Sequence, residues 1–281
     1  VVAACSRRGD LRAMPVMPER GRYRVATALV VAASFVLLAL LGAPVLLLVV
    51  RGGADGLALL GSDAELRRSL ALTGLTATAA TAVTVVLGTP LAWLLARGRM
   101  RGSGVVSAVL DLPLLIPHPV AGIALLLAFG RASPAGGALE QLGLAIVGSP
   151  VGIALAMLFV SAPLYVSGAR EAIARVDERY ESVARSLGDS PFRAAWRVTR
   201  PLAGRGLLAA AVVMWARAVS EFGAIVVLTY NPKVVSVLSY DRFTSYGLGA
   251  VLPVAAVLVI LALVPLIVLR SLKGHIAFGE P

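Results

Sequence analysis

Apolar residues gather into six runs, 25–50, 70–96, 105–130, 150–167, 207–230 and 248–269, separated by connectors that carry most of the charge. A helix needs ~18–20 apolar residues to cross a ~30 Å hydrocarbon core, and each run is near or above that length. The pattern predicts an all-α polytopic membrane protein of about six transmembrane helices. An even number of crossings places both termini on one side. Lysine and arginine concentrate before the first run, in 97–101, in 170–205 and after the last run, whereas the opposite loops hold only Arg51, Arg67, Arg68, Arg131, Lys233 and Arg242. Basic residues accumulate on the cytoplasmic face, so both termini are assigned to the cytoplasm. Residues 1–24 read as a flexible cytoplasmic lead or an over-extended start, 25–269 as the membrane domain with a cytoplasmic loop at 170–206, and 270–281 as a cytoplasmic tail. The first run follows an Arg-rich flank, as a signal peptide does, but it exceeds the ~7–15 residues of an apolar signal core and is expected to remain as an anchor.

Composition agrees with a membrane protein: 58% of residues are hydrophobic and 15% charged, against about 45–50% and about 25% in soluble domains. The net charge of +11 would suit nucleic acid only if the cations shared one polar face. They are distributed between the runs, so membrane orientation accounts for them and no nucleic-acid partner is expected. Cys5 is the single cysteine and cannot form an internal disulfide. Two histidines without paired cysteines are too few for a structural zinc site, so no metal site is expected.

Three runs contain chemistry that lipid does not tolerate without help. The third holds Pro113, Pro117 and Pro119, each removing a backbone donor and disfavouring helix in the residue before it. Broken backbone at membrane depth is found where it is buried in protein or lines a cavity, so this stretch is expected to face a helix bundle or a pathway, with a lipid-facing kink as the alternative. His118 sits among these prolines and reads as a hydrogen-bonded packing residue. The second run carries Thr73, Thr76 and Thr84 within an arc of about 80°. Their hydroxyls suit either packing through i−4 carbonyls or a polar stripe along the route of a hydrated anion. In the fifth, Arg217 and Glu221 are i,i+4 neighbours in an apolar context, about ten residues past the start of the run. A charge at that depth is costly unless it is paired or faces a cavity, which makes the pair a functional candidate beside a purely structural reading.

The 170–206 loop is the most informative connector. Ile173, Val176, Tyr180, Val183, Ala184 and Leu187 recur at three- and four-residue steps, predicting an amphipathic helix that ends at Gly188. Ser190 then offers an N-cap with Pro191 at the first helical position, opening a second short helix over 192–199 ahead of Pro201. Two short helices joined at Gly188 form a knob displaying Phe192 and Trp196. Such a knob suits the membrane surface or the groove of a cytoplasmic protein.

The run from Tyr180 to Pro201 resembles the cytoplasmic EAA loop of ABC importer permeases, in which Glu-Ala-Ala, three residues, Gly, nine residues and Ile-x-Leu-Pro follow in order. Gly188, Val198 at the Ile position and Pro201 keep that spacing; Ser182 stands at the Glu position with Glu181 one residue earlier, Val183 and Ala184 stand at the alanines, and Arg200 replaces Leu. The stretches from Asp111 to Leu125 and from Ala216 to Ala224, with Tyr230-Asn231-Pro232 and the run from Tyr240 to Tyr246, are similar to molybdate and tungstate permeases. Tyr240-Asp241-Arg242-Phe243 leans toward the tungstate type, and Ser220-Glu221-Phe222-Gly223 is shared with sulfate permeases.

The resemblance spans roughly 70–269. It implies a permease subunit of an ATP-driven importer for tungstate or molybdate in the cytoplasmic membrane, a homodimer bound to a cytoplasmic ABC ATPase dimer and one extracytoplasmic oxyanion-binding protein. By the same resemblance Glu181, Ser182, Ala184, Gly188, Asp189, Ser190, Phe192 and Pro201 couple to the ATPase. Thr73, Thr76, Thr84, Arg217, Ser220 and Glu221 are expected to line or gate the path, with Arg217 neutralising Glu221. The chain has no Gly-x-x-x-x-Gly-Lys-Ser/Thr loop, so ATP and magnesium are expected on the partner, with no cofactor and no catalytic residue here. A sulfate, thiosulfate or other anion permease is the alternative. Further off stand an ion-coupled carrier using Glu221 and a membrane enzyme using Asp111, His118 and Glu221, neither with a supporting motif.

Overall fold

The computed structural model describes residues 19–274. Twelve α-helices and one π-turn make up the described chain: α1 Glu19–Ser62, α2 Ala64–Ala96, α3 Ser103–Leu115, α4 His118–Phe129, α5 Pro134–Gln141, α6 Pro150–Ala174, α7 Glu178–Ser186, α8 Pro191–Ala194, the π-turn Ala195–Thr199, α9 Arg200–Val219, α10 Gly223–Leu228, α11 Val235–Tyr246 and α12 Leu248–Gly274. Five helical stretches, Ala26–Ser62, Ala64–Ala96, Pro150–Ala174, Pro191–Val219 and Leu248–Pro265, are long and apolar enough to cross a membrane. Counted as one crossing, the bent pair α3 and α4 brings the number to six. Of the lead expected over 1–24, residues 19–24 begin α1 and the rest lie outside the described residues; so do residues 275–281 of the expected tail.

The chain divides into two bodies at Leu47 and Leu48. The first holds the described part of α1 up to Leu47, where Leu29, Val30, Phe35, Leu38 and Leu41 are exposed, an apolar surface of the kind hydrocarbon solvates. The second is organised around α2, α6 and α9, which pack side by side. Its largest apolar cluster joins Ala77 and Ala80 of α2, Leu125 of α4, Ile153 and Met157 of α6, and Ile225 and Leu228 of α10. Another joins Leu95, Tyr165, Ile173, Ala203 and Met214 toward the 170–206 loop. Small residues let these helices approach closely, as membrane bundles require: a Cβ on Gly168 would stand 2.9 Å from that of Ala210.

Three expected helices are broken, each for a local reason. The third run is two helices bent by 116°. Pro117 caps α4 and Pro119 occupies its first turn, where a missing N–H costs nothing. The fifth run does not continue as helix to 230. It stops at Val219 because Ser220 folds its hydroxyl back onto the Arg217 carbonyl at 2.9 Å and the Glu221 carboxylate caps α10 by accepting from Ala224 N at 2.9 Å. It also begins at Arg200 rather than 207, so Arg217 lies in the last turn of α9, not ten residues in. The amphipathic helix expected through 173–187 is likewise interrupted. Ile173 belongs to the end of α6, and Asp177 starts α7 by accepting from Arg179 N at 2.8 Å. The helix expected over 192–199 does not stop before Pro201 but passes into α9 through the π-turn. A wider turn accommodates a proline that would otherwise clash with the preceding turn.

Candidate functional site

Two polar constructions stand out against this apolar bundle. The first is the knob formed by α7, α8 and the π-turn. Gly188 makes the reversal between α7 and α8 at φ +100°, a conformation side chains resist. Ser190 accepts from Arg193 N with Pro191 following it, so the second helix starts as its sequence predicts. Asp189 bridges to Arg197 at 3.3 Å. Phe192 and Trp196 stack with centroids 6.3 Å apart, and Arg200 lies over the Trp196 ring at 4.1 Å. Tyr180, Val183, Leu187, Phe192 and Trp196 are all exposed, an apolar surface on a charged segment. Ser182, Gly188, Ser190 and Pro201 are exposed with them, while Ala184 and Asp189 are half-buried.

Glu181 alone of the expected coupling residues faces inward, at 2% exposure. Its Oε1 accepts from Arg97 Nε at 2.9 Å, from Trp93 Nε1 at 3.2 Å and from the Thr199 hydroxyl. Arg97 Nη2 also approaches to 2.9 Å, Arg97 Nη1 donates to the Val176 carbonyl at 3.0 Å, and Arg99 stands 3.9 Å from Oε2. Burial by itself would push this carboxyl up; the hydrogen bonds from Thr199, Trp93 and Arg97 and the guanidinium charge outweigh it and hold the group below the ordinary carboxylate range. One carboxylate thus ties α7 to the end of α2 and to the π-turn. Arg97, Trp93 and Thr199 escaped the sequence reading because an arginine after a span reads simply as an orientation signal.

The second construction lies where both broken spans meet. Arg217 Nη2 donates to Glu221 Oε2 at 2.9 Å and to His118 Nε2 at 2.7 Å, and His118 Nδ1 is 3.7 Å from Glu221. The last turn of α9 offers partial negative charge to the guanidinium. Ser236 donates to the Glu221 carbonyl at 2.6 Å. Gly223 allows the approach, since a Cβ there would stand 2.7 Å from that of His118. His118, read from sequence as a packing residue, is therefore the third member of the Arg217–Glu221 cluster. Its position among prolines was the available signal.

The threonines are placed elsewhere. Thr73, Thr76 and Thr84 are buried and donate to the carbonyls of Ser69, Leu72 and Ala80 at 2.7, 2.7 and 2.9 Å. Thr73 also accepts from Val235 N at 3.0 Å, tying α2 to α11. Beside that junction, Asp63 caps α2 and pairs with Arg242, while Lys233 donates to Asp241 at 2.7 Å. The Lys233 hydrogen bond and that of the Tyr230 hydroxyl hold Asp241 below the usual carboxylate range. Among the described residues no group of three metal-ligating side chains occurs.

Five or six apolar spans, a broken pair at membrane depth and an apolar knob on the basic side are the build of a multi-pass membrane subunit. The family model for the binding-protein-dependent transport system inner membrane component matches residues 88–277, and the chain belongs to that family, a multi-pass protein of the cytoplasmic membrane. The molybdate/tungstate transport system permease protein WtpB of Thermococcus kodakarensis is 41% identical over 201 residues, 72% of this chain and 76% of its own. The protein of the same name from Pyrococcus furiosus is 38% identical over 241 residues, 85% and 92% of the two chains. The fold is shared with a bacterial ABC transporter involved in the import of the acidic polysaccharide alginate, at TM-score 0.67 and 15% identity over 93% of this chain and 98% of that one.

Proposed function

We propose that this chain is the permease subunit of an ATP-driven importer for tetrahedral oxyanions, molybdate or tungstate. The observation that carries the reading is sequence identity of 38–41% to two permeases named for those anions, over most of both chains. The chain works as a homodimer, receives its anion from an extracytoplasmic binding protein and takes its energy from a cytoplasmic ATPase dimer that holds ATP and magnesium. The knob from Ser182 to Pro201 seats its exposed apolar residues in a groove of the ATPase. Glu181 anchors the knob to α2, so that closure of the ATPase moves the knob and the spans as one body. Switching between inward-open and outward-open states follows from that movement. Arg217, Ser220 and Glu221 gate the anion's route, and Thr73, Thr76 and Thr84, with hydroxyls buried on α2 carbonyls, brace the wall beside it.

The test is co-expression with the neighbouring ATPase and binding protein, purification through a tag on this chain, and measurement of ATP hydrolysis in liposomes. Copurification with hydrolysis stimulated by binding protein loaded with tungstate or molybdate is the expected result. Stimulation by sulfate alone would reassign the substrate, and absence of a copurifying ATPase would refute the importer reading.

A further inference from the structure

The ion cluster is unevenly exposed. Glu221 is 1% exposed at its side chain, with Oε1 taken by Ala224 N and Oε2 by Arg217. Arg217 is 25% exposed and His118 41%, and Ser220 is exposed. The open side of the cluster is therefore cationic, and the carboxylate lies behind it.

The guanidinium is also only partly used. Nη2 serves both His118 and Glu221. Nη1 has only the 3.5 Å contact with Ser220 Oγ, whose proton is already given to the Arg217 carbonyl. Among the described residues Nε has no hydrogen-bond acceptor, and neither Nη1 nor Nε is a buried unpaired atom. A guanidinium offers five separate N–H donors in one plane; here Nη2, which both of its two-donor edges share, is held, while Nη1 on the Ser220 side is open as a single donor. A charge presented this way within an apolar region faces water, lipid phosphate or an anion.

We propose that Arg217 is the residue that contacts the anion in transit, donating to one oxygen of a tetrahedral oxyanion from its open Nη1 beside Ser220. Glu221 and His118 are positioning residues. They fix the Nη2 edge, and Glu221 lowers the site's net charge so that the anion is held weakly enough to leave. This reverses the roles expected from sequence, in which Arg217 merely neutralised a gating Glu221. It rests on the oxyanion-importer reading above.

The test uses the assembled transporter with Cys5 replaced by serine and Ser220→Cys as a reporter. Water-soluble methanethiosulfonates, one anionic and one cationic, are applied, and each rate is divided by that reagent's rate with a free thiol. The expected anionic preference is about tenfold, from one positive charge close to the thiol. Arg217→Lys keeps the preference, Arg217→Gln removes it, and Glu221→Gln increases it. Because the two glutamine variants move in opposite directions, collapse of the fold cannot produce the set. Tungstate delivered by loaded binding protein slows the anionic reagent. An unchanged ratio in Arg217→Gln, or a thiol that neither reagent reaches because it faces lipid, overturns the proposal. A complex that takes up no oxyanion yet shows the charge ratio refutes the importer reading separately.

Discussion

Replacing Glu181 with alanine should loosen the knob without touching its exposed surface. The side chains of Glu181 and Arg97 are each 2% exposed, so the substitution leaves a buried guanidinium without its carboxylate. Breaking one partner from a buried pair costs about 3–5 kcal/mol. Arg97 keeps the Val176 carbonyl through Nη1, which places the expected cost near the lower end, ~3 kcal/mol. That raises the population of the detached loop by roughly 100-fold. Arg185 and Arg193 are exposed on either side of Gly188, so tryptic cleavage there reports the opening directly when reclosing is fast. In the purified complex the same variant should hydrolyse ATP with little uptake. The double variant Glu181→Leu with Arg97→Leu should recover part of the protection, since an apolar pair leaves no stranded charge. The carboxyl is held below its ordinary value, so its contribution is complete above the ordinary carboxylate range and is lost as pH falls through the depressed native value. Protection should accordingly be flat from pH 8 to pH 5, values chosen to lie above the ordinary glutamate range of about 4.3. Cleavage of Glu181→Ala within threefold of the parent would show that the buried Glu181–Arg97 pair does not hold the knob in place.

Gly188→Asp places a side chain at φ +100°, about 1–2 kcal/mol of local strain, and adds a charge at the reversal; ATP hydrolysis should persist while uptake falls, and a normal ratio of ions moved per ATP would count against docking through this turn. Thr73→Val removes the acceptor for a buried amide, Val235 N, and should lower stability by about 1–3 kcal/mol, whereas Thr73→Ser should be nearly silent in thermal unfolding. Unchanged stability with lost uptake in Thr73→Val would instead make that hydroxyl a contact of the route. Asp63→Ala removes both the α2 cap and the Arg242 pair, and should cost about 1 kcal/mol; a stability equal to that of the parent would show that the α2–α11 junction is held elsewhere.

The spans were legible because hydrocarbon imposes length and apolarity on each of them independently. Ser190-Pro191 was equally legible, since a cap acts within one turn. The break after Val219 was not, because Ser220 and Glu221 are compatible with helix until the Ser220 hydroxyl donates to the Arg217 carbonyl and the Glu221 carboxylate accepts from Ala224 N. Nor could the 105–130 run reveal that His118 would meet Arg217, a contact made across 99 positions of sequence. Glu181 shows the limit most clearly. The motif drew attention to the residue, but a charge on an amphipathic loop reads as exposed until Arg97, Trp93 and Thr199 are folded around it.

The proposed function requires that ATP, rather than an ion gradient, drives oxyanions through this chain. Uptake of labelled tungstate and molybdate into liposomes carrying the assembled complex, with loaded binding protein outside and ATP inside, tests it most directly. The expected result is accumulation that requires ATP, survives collapse of proton and sodium gradients, and falls in Glu181→Ala. Accumulation driven by a gradient in the absence of ATP would contradict it.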